Sequence, residues 1–124
     1  GIDLPLASLA AGEWSVDDKL VRRVRDPLTW LAARYLVHCK RSDDEASPPY
    51  DPVARFHLGN GAIIERLNFL ADTSSKGFAQ SFGLMVNYRY ALDNLEENLE
   101  AYAAMGRIAM APSIKRLAKP FAKP

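Results

Sequence analysis

The stretch "DPVARFHLGNGA", residues 51–62, combines helix and turn chemistry and decides how the middle of the chain is organised. Asp51-Pro52 pairs an N-cap residue with a proline suited to the first helical turn, which predicts a short helix over 52–58. The run Gly-Asn-Gly at 59–61 supplies residues that tolerate a positive φ angle and predicts the end of that helix. A hairpin that turns at Asn-Gly is the alternative. We favour the helix because the stretch begins with proline and lacks a period of two.

Downstream of this stretch, two strands are predicted with a short helix between them. Residues 63–71 alternate imperfectly, since Glu65 interrupts an apolar side formed by Ile63, Leu67 and Phe69. Residues 84–91 alternate more clearly and place on one face the side chains of Leu84, Val86, Tyr88 and Tyr90. The segment between the strands has cap residues in front and a glycine behind, which predicts a helix over 75–82.

Upstream, apolar residues recur every three or four positions between residues 14 and 38, which predicts amphipathic helices. The stripe consists of Val16, Leu20, Val24, Leu28, Leu31 and Tyr35. Asp26-Pro27 repeats the pairing of an N-cap with a proline, so we expect two consecutive helices over 15–25 and 27–38. Ser15, with an acidic residue three positions later, is expected to cap the first of them.

The remaining segments are predicted to be a surface connection and two terminal helices. Residues 39–50 are polar and carry two prolines near their end, which is typical of a surface connection. The stretch "NLEENLEAYAAMG" (94–106) is amphipathic and predicts a helix that ends at Gly106. Pro112 is expected to begin a last, basic helical turn or two.

Composition restricts the classes of function. The chain has 124 residues, 48% hydrophobic and 25% charged, which suits one domain with an ordinary core. Sixteen basic and fifteen acidic residues leave a net charge of +1, without the clustered basic excess of a nucleic-acid-binding protein. No apolar run reaches the roughly 20 residues of a membrane span. The single Cys39 excludes an internal disulfide and a cysteine-based zinc cluster, and it fits a reducing, cytoplasmic compartment.

His57 is the residue with the clearest chemical potential. It lies near the predicted end of helix 52–58, where the helix carbonyls favour a cationic imidazole. Two interpretations stay open on the residues alone: a half-buried histidine that caps the helix, or a histidine that moves protons. His38-Cys39 has poor spacing for chelation, so a structural role is expected there. The chain has no histidine pair at metal-binding spacing and no glycine-rich phosphate loop.

Polar and aromatic residues within the two predicted strands also allow two interpretations. Asn68, Asn87 and Arg89 could lie on a solvated face of the sheet, or they could form a polar cluster in a cleft. Tyr88 and Tyr90 are by default core aromatics whose hydroxyls reach water.

Several separated motifs resemble the carboxy-terminal part of the malonyl-CoA decarboxylase family. Residues 51–62 are similar to a motif of the form NPVANFHLxNGA, residues 66–74 to RxNWxADxS, and residues 81–90 to SxGLMxNYxY. The stretch "GEWSVDDKLVRRVRDPLTWLAARYL" (12–36) also looks like the helical part that precedes the histidine in that family. The motifs occur in the same order, and the resemblance weakens only after Leu92.

The resemblance implies decarboxylation of malonyl-CoA to acetyl-CoA and carbon dioxide, without metal or organic cofactor. It implies that His57 is the histidine of a Ser-His dyad, since it occupies the histidine position of the FHL motif. The serine of that family lies in an upstream SxSPIPGF-like motif, which these residues lack, and Ser8 does not match it. Tyr90 is implied to be a catalytic residue lining the acyl pocket. Asn60 and Asn87 match polar family positions that are expected to bind substrate.

The resemblance also implies the wider organisation of the protein. The expected fold is α+β (α/β), the C-terminal half of a GNAT-like (acetyltransferase-type) fold with a mixed sheet flanked by helices. Residues 1–124 are then the C-terminal segment of one catalytic domain that follows an N-terminal helical domain, and the start at Gly1 is expected to be internal. Expected partners are malonyl-CoA, the rest of the same protein and further copies in a homo-oligomer, with a role in fatty acid metabolism. The alternatives are a non-catalytic acyl-CoA-binding GNAT-like module and, more weakly, a GNAT-type acyltransferase.

Overall fold

The computed structural model describes residues 5–44 and 46–119, in which helices surround one small antiparallel sheet. The expected α+β class is confirmed, whereas the expectation about Gly1 concerns a residue outside the described ranges. None of the described helices is both long and apolar enough to cross a membrane. In chain order the elements are α1 (Leu6–Ala11), a 3₁₀ turn (Glu13–Val16), α2 (Asp18–His38), α3 (Pro52–Gly59), β1 (Ile63–Asn68), α4 (Ser75–Ser81), β2 (Met85–Arg89), α5 (Leu95–Met105) and α6 (Pro112–Leu117).

The longest helix, α2, is continuous, so the prediction of two helices over 15–25 and 27–38 is wrong. It begins after Asp17, whose carboxylate accepts hydrogen bonds from two backbone N–H groups at 3.0 and 3.4 Å. Ser15 is therefore not the cap, because its hydroxyl donates to the carbonyl of Gly12 at 2.6 Å within the preceding 3₁₀ turn. That turn occupies residues which would otherwise have formed the first turn of the helix.

Pro27 lies inside α2 without ending it. A proline in a helix interior removes a backbone hydrogen bond and costs about 3 kcal/mol. Its neighbours Val24 and Leu28 are both buried in one hydrophobic cluster, and each such side chain contributes about 1.5–3 kcal/mol on burial. A break at Pro27 would disturb the packing of both side chains. Packing therefore holds the helix together through the proline.

A short helix that the sequence interpretation missed, α1, packs against α4. Gly12 ends it with a φ angle of +81°, and a Cβ atom at this position would clash with the ring of Phe78. The indole N–H of Trp14 donates to the carbonyl of Leu9 at 3.0 Å and ties α1 to the buried tryptophan. The helix has no side-chain cap and no charged residue in its end turns, so the sequence signals its end at Gly12 but not its start.

The sheet pairs β1 with β2 in antiparallel register, with Ile64 opposite Tyr88. The register shifts at Glu65, which is the extra residue of a β-bulge. Glu65 is the residue that broke the alternation in the sequence. The bulge corrects the expected face of β1, because Ile64 rather than Ile63 shares the buried side of the strand with Leu67.

Both strands are shorter than predicted. β1 ends at Asn68 rather than at residue 71, and Leu70 adopts a positive φ of 54° that is incompatible with a strand. β2 covers Met85–Arg89 rather than 84–91. Beside this antiparallel pair, the described residues contain one isolated parallel bridge, which links Ile64 with Met110.

The remaining local predictions are confirmed. α3, α4 and α5 lie within a residue or two of their predicted bounds, and α5 ends before Gly106, whose φ angle is +66°. α6 begins at Pro112 as expected. The described residues between 39 and 50 form a connection that folds back on itself through a bridge between Lys40 and Pro49.

Two hydrophobic clusters form the core. The first joins α3 to β1 and the C-terminal segment and consists of the buried residues Leu36, Ala54, Leu58, Ile64, Ile108 and Ile114. The second lies around the 3₁₀ turn, α2 and α4 and consists of Trp14, Val24, Leu28, Phe78 and Leu84. The first cluster fixes α3 against the sheet, and α3 carries His57.

Candidate active site

Helix α3 presents His57 at the edge of the first hydrophobic cluster. The Asp51 carboxylate begins the helix by accepting the backbone N–H of Ala54 at 2.9 Å. Ala54 and Leu58 are 0% and 2% exposed and anchor one side of the helix in the core. His57 follows Ala54 by three positions and therefore lies beside this anchored side, half-buried. Its carbonyl accepts the backbone N–H of Ala62 at 3.0 Å, which fixes the end of the helix to the start of β1.

Three aromatic side chains surround the imidazole of His57, and we call this group the His57 cluster (His57, Phe56, Tyr88 and Tyr90). The Nδ1 atom of His57 lies 2.6 Å from the hydroxyl oxygen of Tyr90. The imidazole stacks on the ring of Tyr88, with centroids 4.2 Å apart and planes inclined by 18°. Phe56 meets it edge-on, with centroids 5.2 Å apart and an interplanar angle of 79°. The strand alternation predicted from the sequence explains why Tyr88 and Tyr90 reach the same side.

The hydrogen bond with Tyr90 distinguishes the two nitrogens of the imidazole. Either the tyrosine O–H donates to Nδ1, or Nδ1–H donates to the tyrosine oxygen, depending on the tautomer. Within residues 5–44 and 46–119, Nε2 has no hydrogen-bond partner. Nε2 is therefore the atom through which His57 is able to act on a bound molecule. The arrangement suits proton transfer, because one nitrogen is oriented while the other remains available.

The hydroxyl of Tyr88 is buried and has no hydrogen-bond partner among the described residues. Burial raises the pKa of this hydroxyl well above its usual range, and the nearby charges of Asp51 and ionised Tyr90 raise it further. Tyr88 is therefore neutral at ordinary pH. The expectation of a hydroxyl that reaches water is wrong for Tyr88, whereas Tyr90 is 44% exposed and its hydroxyl bonds His57.

Asp51 has a second contact that the sequence interpretation missed. Besides capping α3, its carboxylate accepts a long hydrogen bond of 3.4 Å from the hydroxyl of Tyr35 on α2. Burial raises the pKa of Tyr35, and the charge of Asp51 raises it further. The ring of Tyr35 in turn meets that of Tyr50 at 6.4 Å. Only the N-cap signal of Asp51 was visible in the sequence, because its partner lies on a distant helix.

The two asparagines expected to bind substrate occupy different places. The side-chain amide of Asn60 donates to the carbonyl of Phe56 at 2.7 Å, so it closes the last turn of α3 beside His57. Asn87 lies on β2 opposite Arg66, on the exposed face that alternates with Tyr88. The structure therefore places Asn60 beside His57 at the end of α3, whereas it directs Asn87 to the other face of the sheet.

The polar residues outside the His57 cluster make structural contacts. His38 lies with Nε2 at 2.6 Å from the carbonyl of Ala118, which joins α2 to the end of α6. Cys39 is exposed with a free thiol. Arg89 forms an ion pair with the bulge residue Glu65 at 3.0 Å. In the described ranges, no three histidine, cysteine, aspartate or glutamate side chains converge as a metal ion would require.

Comparisons with known proteins agree in one family. The family model described as the malonyl-CoA decarboxylase C-terminal domain matches residues 3–124. The mitochondrial malonyl-CoA decarboxylase of Rattus norvegicus is 39% identical over 113 residues, which is 91% of this chain and 22% of the relative. The mitochondrial malonyl-CoA decarboxylase of Anser anser anser is 43% identical over 94 residues, which is 76% of this chain and 18% of the relative.

Solved structures give the same result. The crystal structure of malonyl-CoA decarboxylase from Rhodopseudomonas palustris matches with a TM-score of 0.82 at 46% identity, over 90% of this chain and 25% of that one. The enzyme from Agrobacterium vitis matches with a TM-score of 0.80 at 47% identity, over 93% and 28%. This chain thus spans about a fifth of the length of the curated relatives and about a quarter of the solved structures. Matched by the family model over nearly all its residues, the chain belongs to the malonyl-CoA decarboxylase family.

Proposed function

We propose that this chain supplies His57 to the active site of an enzyme that decarboxylates malonyl-CoA to acetyl-CoA and carbon dioxide. The observation that carries the proposal is the 2.6 Å contact between Nδ1 of His57 and the hydroxyl of Tyr90. Both residues occupy positions of the family motifs, and the contact orients an imidazole whose other nitrogen is available. The histidine would act in a dyad with a serine outside these residues.

The reaction requires a group that handles a proton next to a developing negative charge. When the bond between the carboxylate carbon and the α carbon breaks, carbon dioxide leaves and its electron pair forms a thioester enolate. The site must stabilise the enolate oxygen and then deliver a proton to the α carbon. A histidine bonded through Nδ1 is suited to this task, because Nε2 is able to bond the serine hydroxyl or a proton in transit.

The roles of the other site residues follow from their positions. Tyr90 would line the acyl pocket, since its side chain is partly exposed and its hydroxyl bonds His57. Asn60 would contact substrate from the last turn of α3, with its amide N–H already engaged to Phe56. Asn87 would contact only a part of the ligand that extends to the other face of the sheet.

The complete protein would have a GNAT-like catalytic domain, of which this chain is the C-terminal segment, preceded by a helical domain. The exposed apolar side chains around the His57 cluster support a contact with the rest of that domain. Phe56 is 65% exposed, and its neighbours Tyr50 and Val53 are also exposed. Soluble proteins rarely leave a group of large apolar side chains exposed together, so another segment is expected to cover these residues.

The proposed biological setting is fatty acid metabolism by a homo-oligomeric enzyme that uses coenzyme A thioesters and needs no cofactor. A cytoplasmic location is supported by the free thiol of Cys39, which a reducing compartment preserves. The relatives from rat and goose are named as mitochondrial.

The test is to incubate the complete protein with malonyl-CoA and to measure acetyl-CoA by chromatography together with released carbon dioxide. Succinyl-CoA is a matched control substrate, because its carboxylate is one carbon further from the thioester and its loss gives no stabilised enolate. We expect conversion of malonyl-CoA alone. Binding of malonyl-CoA by calorimetry without any acetyl-CoA would instead identify a non-catalytic acyl-CoA-binding module.

A further inference from the structure

We infer that Tyr88 is a positioning residue whose ring holds the plane of the His57 imidazole for proton transfer. The inference rests on the proposed function of His57 as the proton-handling group. It concerns a residue for which the sequence indicated only a core aromatic. The observation behind it is the parallel stack of the two rings, with centroids 4.2 Å apart and planes inclined by 18°.

A second contact is needed because the hydrogen bond with Tyr90 fixes only part of the imidazole geometry. The torsion that rotates a histidine ring about its bond to Cβ is broad, so a bond at Nδ1 leaves the ring plane variable. Tyr88 lies flat beneath the ring, and Phe56 meets it edge-on at an interplanar angle of 79°. Together these rings restrict rotation, and they therefore set the direction in which Nε2 points. A displacement of a reacting atom such as Nε2 by about 1 Å costs about 100-fold in rate.

Tyr88 is itself held rigidly, which a positioning residue requires. Its backbone pairs with Ile64 across the sheet, and Ile64 is fully buried. Its side chain packs against the first hydrophobic cluster, which also anchors α3 through Leu58. The platform and the histidine are thus fixed to the same part of the core, although they lie on different elements.

The ring of Tyr88, not its hydroxyl, provides this function. The hydroxyl oxygen is buried, so a substrate bound at the surface of the site does not reach it. It also lacks a hydrogen-bond partner among the described residues, which makes it a cost to stability. Phenylalanine at this position keeps the stacking face and removes the hydroxyl, which makes it the rescuing replacement.

The test compares Tyr88→Phe with Tyr88→Leu in the complete protein. We expect Tyr88→Phe to keep kcat within about twofold and Tyr88→Leu to lower kcat by about tenfold or more, with KM changed much less, because orientation acts on the chemical step. Tyr102→Leu is the matched control: Tyr102 packs against the same cluster, but within the described residues it has no ring contact with His57. Its loss should lower the melting temperature and leave kcat per folded molecule unchanged.

A spectroscopic measurement separates this inference from the proposed reaction. In protein labelled with ¹³C-histidine, the His57 ring-proton signals, assigned by their loss in His57→Asn, should be displaced upfield by the ring current of Tyr88. The displacement should persist in Tyr88→Phe and vanish in Tyr88→Leu, whether or not malonyl-CoA is the substrate. If leucine prevents folding, Tyr88→Met removes the ring while an adaptable side chain fills the space.

Each outcome decides the inference. Full kcat in a folded Tyr88→Leu or Tyr88→Met variant would overturn it, as would unchanged His57 signals in either variant. A loss of kcat in Tyr88→Phe equal to that in Tyr88→Leu would overturn it as well, because the hydroxyl would then be the required group. A wild-type protein that leaves malonyl-CoA intact would refute the proposed function, while the upfield signals would still establish the stack.

Discussion

Nδ1 of His57 lies 2.6 Å from the hydroxyl oxygen of Tyr90, although 33 positions of the sequence separate the two residues. The contact connects the last turn of α3 with the residue that follows β2. It distinguishes the two imidazole nitrogens, since Nδ1 is engaged and Nε2 is available. Its value for catalysis is open to direct measurement, because each partner can be changed alone.

Tyr90→Phe removes the hydroxyl that bonds His57 and keeps the aromatic ring. The side chain is 44% exposed, so we expect almost no change in melting temperature. Catalytic efficiency should fall by about tenfold, the equivalent of one lost hydrogen bond in the transition state. Tyr50→Phe, at another exposed tyrosine, is the control and should alter neither quantity. Full efficiency with a lowered melting temperature would remove Tyr90 from the site.

His57→Asn should reduce decarboxylation by the complete protein by about 100-fold or more, the usual scale for a proton-transfer group. The fold should persist, because Ala54 and Leu58 rather than His57 anchor α3 in the core. His38→Asn is a matched control, since the imidazole of the other histidine bonds the carbonyl of Ala118 in a joint between α2 and α6. Turnover of His57→Asn at the wild-type rate would contradict the catalytic assignment.

Residues 1–124 expressed alone should release no carbon dioxide from malonyl-CoA and should unfold without a sharp transition. The described part has a sheet of only two strands, and large side chains such as Phe56 and Leu92 are exposed. Adding back the rest of the protein should restore activity if the two parts associate. Calorimetry and a carbon dioxide assay check the expectation, and a cooperative melt together with turnover would refute it.

Tyr88 should ionise only at strongly alkaline pH, because burial, with Asp51 and Tyr90 adding to it, raises the pKa of its hydroxyl. The unfolded chain releases this proton near pH 10, so the ionisation of Tyr88 has no effect on stability below that pH. As pH rises from about 10 towards the folded pKa, the free energy of unfolding falls.

Absorbance titration of tyrosinate in the complete protein, compared with Tyr88→Phe, measures this behaviour. The variant should lose an ionisation that lies above those of ordinary tyrosines, and its stability should fall less steeply above about pH 10. If the ionisation that Tyr88→Phe loses instead has the ordinary pKa of a tyrosine, the hydroxyl of Tyr88 is exposed and the expectation is wrong.

Local sequence chemistry was sufficient for the elements whose ends carry caps or glycines. α3, α4 and α5 have side-chain caps or a terminal glycine, and their bounds were predicted closely. α2 was divided wrongly because Pro27 is a local signal for a helix start. The burial of Val24 and Leu28 overrides this signal, and it depends on tertiary packing. α1 was missed although Gly12 ends it, because its start has no side-chain cap and its first turn has no acidic residue.

The candidate site shows the same division. The motif positions of His57 and Tyr90, and the alternation that places Tyr88 and Tyr90 on one face, were readable in the sequence. The stack between His57 and Tyr88 was not, since it depends on how α3 packs against a strand with a bulge at Glu65.

The sequence by itself thus determined most of the local elements and the motif position of His57, because capping, alternation and motif spacing act over a few residues. Only the tertiary structure decided which faces are buried and which rings meet. A one-residue bulge exchanges the two faces of a strand, and the burial of Leu58 and Ile64 selects the packing that brings His57 onto Tyr88. Such selection depends on contacts between residues far apart in the chain, which no local pattern encodes.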